Sequence, residues 1–121
     1  MTLKECYAVI GGNYDDVVSR FHSEKIVKKF VLKFLNDSSY ELLCSSMKDE
    51  NYEEAFRAAH TIKGICQNLS ITRLYEISGQ LCEALRNGFT PEVPILVERT
   101  KEEYKQTLTA IKEYQRQNEV V

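Results

Sequence analysis

Apolar residues in this chain return at intervals of three and four between residues that start and stop helices, and nowhere alternate as a half-buried strand does. That periodicity restricts the fold to helices packed on helices. Thr2-Leu3-Lys4-Glu5 has the form of a capping box, and Gly11-Gly12 can supply the left-handed residue that ends a short first helix. Ser23 precedes EKIVKKFVLKFL, in which Ile26, Val27, Phe30, Val31, Phe34 and Leu35 recur at helical spacing and are expected to point inward. Asn36-Asp37-Ser38-Ser39 breaks that run, and YELLCSSMKD continues as a shorter helix with Leu42, Leu43 and Met47 inward.

Asn51 with Glu54 repeats the N-cap and N3 arrangement, and the helix it opens is expected to reach about Leu69. Ile71 to Asn87 reads as another long helix with Leu74, Ile77, Leu81, Ala84 and Leu85 on one side, stopped by Asn87-Gly88. Pro91 and Pro94 suit the first turn of a final helix, where a missing N–H costs little. Val97, Tyr104, Leu108 and Ile111 carry its apolar stripe, and the polar tail QRQNEVV is expected to fray. Four substantial helices with short connections make an all-α, antiparallel four-helix bundle, with shorter helices at the N-terminus and between.

At 121 residues the chain is expected to be a single domain, residues 1–121, able to bury one core. Hydrophobic residues at 43% and charged residues at 28% are values of a globular protein and too apolar for a disordered one. A net charge of −2 and the lack of a Lys/Arg run with interleaved aromatics argue against a nucleic-acid partner. No apolar run approaches the ~20 residues of a membrane span, so no membrane insertion and a cytoplasmic location are expected. Cys6, Cys44, Cys66 and Cys82 are widely separated, with no C-x-x-C pair, and read as small, reduced, mostly buried side chains. No metal site is expected.

The segment AAHTIKGICQNLSI carries the chemistry. With Ile62 as the reference on a helical wheel, Ala55, Ala58, Ala59, Ile65, Cys66 and Leu69 all fall within about 60° and form the buried face. His60 lies about 160° away, with Lys63, Gly64 and Gln67 at its sides and Phe56 and Arg57 flanking. A histidine placed so faces solvent. An imidazole in water titrates near about 6.5 and is mostly neutral at pH 7, leaving a nucleophilic nitrogen able to attack phosphorus. Lys63, one turn on, can hold phosphoryl oxygens by a charge-assisted hydrogen bond. Gly64 costs an exposed helix about 1 kcal/mol against alanine, which points to space needed by an approaching partner. Gln67 can hydrogen-bond the imidazole or a partner, Phe56 can belong to an apolar docking ring, and Arg86 on the next helix can aid docking.

The pattern His60, two residues, Lys63-Gly64, set mid-helix after a charged amphipathic run and followed by ALRNG at the end of the next helix, resembles the histidine-containing phosphotransfer (HPt) domain family. The resemblance runs from about Ser23 to Asn118 and implies the same bundle. It implies that His60 accepts a phosphoryl group from a receiver-domain phosphoaspartate and passes it to another receiver, with Lys63 and Gly64 matching the family's lysine and glycine. The implied partners are response-regulator receiver domains and a hybrid histidine kinase, met by a monomer. The chain would be a phosphocarrier rather than an autonomous enzyme, without a glycine-rich ATP loop or a cofactor of its own, the receiver supplying Mg²⁺.

The chain departs from the family pattern at three positions: Ile65 and Cys66 stand where two small residues are usual, and Ser70 replaces a second glycine. All three lie off the histidine stripe, Ser70 at a turn where glycine would relieve the backbone. Two other functions are weighed against the relay. A non-catalytic helical adaptor that binds receivers has little reason to keep His60, Lys63 and Gly64 together. A bundle holding metal or haem is poorly served by two distant histidines, His60 and His22, the latter read as a solvated residue before a helix cap.

Overall fold

A computed structural model describes residues 1–118, and among them all regular structure is helical. The helices are α1 (Leu3–Ile10), α2 (Tyr14–Phe21), α3 (Glu24–Phe34), α4 (Ser39–Lys48), α5 (Tyr52–Asn68), α6 (Thr72–Leu85) and α7 (Glu92–Asn118). Their starts follow from local polar chemistry. The Thr2 hydroxyl accepts from the Glu5 N–H at 3.0 Å while the Glu5 carboxylate accepts from the Thr2 N–H at 2.8 Å, completing the capping box. Ser23 and Asn51 take the N–H groups of Ile26 and Glu54 at 3.3 and 3.2 Å. Glu54 does not reach back to its cap; its carboxylate pairs with Arg57 instead.

Helices α4 to α7 form the bundle, with α5 packed between α4 and α6, α6 against α7, and α1 laid on α7. The face of α5 turned inward is built largely from small side chains, Ala55, Ala58 and Ala59, together with Ile62 and Cys66. Small contacts let neighbouring helix axes approach closely. Tyr104 of α7 stacks on Tyr40 of α4 at 4.2 Å and meets Phe34 of α3 edge-on at 5.6 Å, joining three helices through aromatic faces.

The structure differs from the sequence expectation at several places. Helix α2 lies outside the sequence expectation, although Tyr14, Val17, Val18 and Phe21 recur at helical spacing and pack on the core; Asn13, which accepts from the Asp16 N–H, starts it. Ile26 and Phe30 are not inward: they are 42% and 39% exposed, because α3 meets its neighbours through the narrower stripe Val27, Val31 and Phe34. Leu42 is likewise 43% exposed, since Ser39, Leu43 and Ser46 define the inward face of α4 and Leu42 sits about 100° from Leu43. Ile65, at the edge of the α5 face, is half-buried. Residues 115–118 of the tail expected to fray are helical, and the Asn118 amide donates to the Met1 carbonyl at 2.9 Å; the remainder of that tail, 119–121, lies outside the described residues.

The turn between α5 and α6 is held from outside the bundle. Ser70 adopts φ 53°, in the left-handed region, where a glycine would be unstrained. Its hydroxyl donates to the Asp16 carboxylate at 2.5 Å and its carbonyl accepts from the Asn13 N–H at 2.8 Å. One nitrogen of Arg20, itself paired with Asp16, donates to the carbonyls of Gln67 and Asn68 at 2.6 and 2.7 Å. The Tyr7 hydroxyl donates to the Leu69 carbonyl at 2.7 Å, and burial pushes its phenol up so that it keeps its proton. Carbonyls left without partners at the end of α5 are thus met by α1 and α2, with a cation placed at the negative end of the helix dipole.

Two outcomes follow from this packing. In urea denaturation, Ser70→Gly shifts stability by less than about 1 kcal/mol, because relief of backbone strain offsets a lost charge-assisted hydrogen bond. In an Asp16→Ala background the same substitution becomes stabilising by about 1 kcal/mol, and additivity of the two changes would show that Ser70 and Asp16 are not coupled. The cysteines are free; Cys6, Cys66 and Cys82 are buried and Cys44 is half-buried. Burial pushes the Cys6 thiol up to about 11 and the Cys66 thiol further. In the native protein at pH 8 a thiol reagent is therefore expected to modify Cys44 first, and all four cysteines only after unfolding.

Candidate functional site

His60 lies in the middle of α5 and is exposed, while Ala59 and Ile62 on the opposite side are fully buried. The rotational setting of α5 alone puts the imidazole in solvent. The α6 flank of the histidine is built from three side chains in series. The Phe56 ring lies 6.1 Å from the His60 ring, tilted by 34°, and the Arg86 guanidinium lies over the Phe56 ring at 5.5 Å. Arg86 also pairs with Glu83 at 3.2 Å. Phe56 is half-buried, so it both packs on the core and borders the histidine.

Lys63 sits on the same flank. Its aliphatic chain lies across α6 at Gly79, where an added Cβ would stand 3.7 Å from two of its methylene carbons. The stem is half-buried there, and among the described residues the ammonium makes no ion pair and no hydrogen bond. Both Lys63 and Arg86 act on the Cys82 thiol, lowering it, although burial raises it by more. The two cations therefore both lie near Cys82, Arg86 over the Phe56 ring that borders His60 and Lys63 one turn along α5 from it. Arg57, on the other flank, is committed to Glu53 at 3.0 Å and Glu54 at 2.6 Å, so its charge is largely neutralised locally.

Gly64 is exposed, and a Cβ built on it meets nothing within 4 Å. Among the described residues no contact requires glycine at this position. Gln67 is exposed and its side chain makes no hydrogen bond to His60; its backbone carbonyl is the group that is used, by Arg20. The structure thus brings His60, Lys63, Gly64, Phe56 and Arg86 together, leaves Gln67 at the margin, and ties Arg57 to its own helix.

Gly79 is the residue that the sequence expectation lacks. A glycine in the interior of an amphipathic helix is costly, but its neighbour, the Lys63 stem, appears only once α5 and α6 are packed, and a Cβ there would make ordinary contact with that stem. Among the described residues no group of three or more His, Cys, Asp or Glu side chains is disposed to hold a metal ion. His22 is exposed and ends α2 in the left-handed conformation, φ 59°. No helix among the described residues is long and apolar enough to cross a membrane.

A family model described as the Hpt domain matches residues 34–114, more than half of the chain. The match begins at the last residue of α3, takes in all of α4, α5 and α6, and runs most of the way along α7. No curated protein and no solved structure matches the chain. With a helical bundle and the segment around His60 inside the matched region, the chain belongs to the Hpt domain family, whose members act by histidine phosphotransfer in phosphorelays.

Proposed function

We propose that His60 is the phosphoacceptor of a phosphorelay, taking a phosphoryl group from the phosphoaspartate of one response-regulator receiver and giving it to the aspartate of another. The observation that carries this reading is the outward imidazole beside an uncommitted lysine and an open glycine on one helix face. An imidazole nitrogen attacks phosphorus in line, the N–P bond forms as the acyl-phosphate O–P bond breaks, and the receiver carboxylate leaves. The second transfer is the reverse, onto a different carboxylate.

Lys63 accompanies the transferring group. Its stem lies along α6 beside Gly79, and its ammonium is left uncommitted to meet the oxygens. Arg86, held over Phe56 and paired with Glu83, borders the same side of the site. Gly64 clears the approach of the receiver backbone. Magnesium belongs to the receiver in this reading and supplies charge neutralisation at the phosphoryl oxygens. The chain is a carrier acting as a monomer in the cytoplasm, with a hybrid histidine kinase upstream and no ATP chemistry of its own.

An adaptor that binds receivers without accepting phosphate is the competing reading, and covalent labelling separates the two. Incubation with ³²P-labelled receiver is expected to give acid-labile, base-stable phosphate on the wild-type chain and none on His60→Gln with its helical content intact. Absence of label with every receiver from the same organism would favour the adaptor. Lys63→Ala should slow transfer by about 10-fold or more, the loss of one charge-assisted contact in the transition state. Gly64→Ala should raise thermal stability by about 0.5–1 kcal/mol, as helix propensity dictates, while slowing transfer. A variant that is stabilised and transfers at the wild-type rate would remove Gly64 from the site.

A further inference from the structure

The connection between α6 and α7, residues 86–91, turns at Gly88, whose φ of 95° lies in the left-handed region and whose N–H donates to the Leu85 carbonyl at 3.0 Å. The next residue, Phe89, lies against the start of α5, its ring 5.5 Å from that of Tyr52. This contact covers one side of the ring only. Phe89 remains 52% exposed, and Tyr52 is half-buried.

Tyr52, Phe56 and His60 follow one another at intervals of four along α5. On the helical wheel Phe56 and Tyr52 fall about 40° and about 80° from His60, both toward the side on which Lys63 falls at about 60°. The Phe56 ring lies 6.1 Å from the imidazole, with the Arg86 guanidinium over it. An aromatic strip therefore runs from Phe89 through Tyr52 and Phe56 to His60, on the histidine's own flank. The other flank of this half of α5 carries Glu53, Glu54 and Arg57, whose charges are paired with one another. The outer face of the strip is apolar surface that the chain leaves in water, contiguous with the reacting group.

We infer that Phe89, backed by Tyr52, is a docking anchor for the receiver, packing against an apolar side chain on the receiver surface that borders its aspartate. The inference rests on the phosphorelay reading for the identity of the partner. Reach decides the occupant. A receiver that brings its aspartyl phosphate into line with the imidazole must lay its surface over the residues around His60. Even a transient signalling interface of about 1,200 Å² in total covers about 600 Å² of each partner, a disc of about 14 Å radius. Tyr52 precedes His60 by about 12 Å along α5, inside such a disc, and Phe89 adjoins it at the edge. Aromatic side chains that lose their remaining water on docking carry much of an interface's energy, and charges already paired within one chain add little to it. The strip therefore holds the partner, while Lys63 on the same flank is left for the phosphoryl group.

The test is the rate of phosphoryl transfer to the full chain from ³²P-labelled receiver domains of the same organism, followed over a range of receiver concentrations. Phe89→Ser is expected to lower kcat/KM by about tenfold or more through KM, with the rate at saturation within about twofold of wild type, because the ring does not reach the imidazole. Phe89→Leu keeps an apolar side chain against Tyr52, so that the fold is not at stake, and should raise KM by about threefold. Ile95→Ser, an apolar loss at a residue 58% exposed on α7, should leave both constants unchanged. An unaltered KM in both Phe89 variants overturns the inference, and so does a loss confined to the saturated rate. Self-association of the wild-type chain in sedimentation, abolished by Phe89→Ser while KM is kept, would give the strip to a second copy instead. If no receiver labels the wild-type chain, the relay reading fails by itself: receiver binding measured by anisotropy and weakened in Phe89→Ser leaves the anchor standing, and receivers that do not bind at all overturn both.

Discussion

The rotational setting of α5 is the constraint on which the site depends. Ala55, Ala58, Ala59, Ile62 and Cys66 occupy one side of the helix and are almost wholly removed from water. Turning the helix by one residue, about 100°, would expose Ile62 and Cys66 and press charged or polar groups into the core. Burial of one large aliphatic side chain contributes roughly 1.5–3 kcal/mol, and an unpaired buried charge costs more. The core therefore holds the imidazole outside as firmly as it holds the bundle together. Exposure of His60 is a result of packing, and it needs no contact made by the histidine itself.

Much of this is legible in the sequence itself. Caps at Thr2, Ser23 and Asn51, and the phase of α5, follow from short-range rules in which a residue and its third or fourth neighbour suffice. What could not be read was how wide each helix's buried stripe would be. Ile26, Phe30 and Leu42 have the residue type of a core and the spacing of a helix, yet the number of neighbours around α3 and α4 decides their exposure, and that is a tertiary property. The place of Lys63 was hidden for the same reason: that its stem crosses α6 beside Gly79 appears only when α5 and α6 are side by side.

The α5–α6 turn shows the opposite relation, where a local conflict marks a long-range contact. Serine at a positive φ is unfavourable by itself. Here Ser70 is bound by Asp16 and Asn13, while Arg20 and Tyr7 take the carbonyls just before it. The polar contacts come from residues more than forty positions earlier, as the separation of 47 between Arg20 and Gln67 indicates. Helices α1 and α2, which lie before the family segment, thereby become the terminal cap of the helix that carries the histidine.

The contact between Asn118 and the Met1 carbonyl has a topological meaning as well. It brings the two ends of the described chain to one place, on the edge formed by α1 and α7, whereas His60 projects from α5 between α4 and α6. A backbone whose ends meet is nearly a closed ring, and opening it elsewhere changes the order of helices without changing their neighbours. Met1 and Asn118 thus share one edge of the bundle while another edge carries its chemistry.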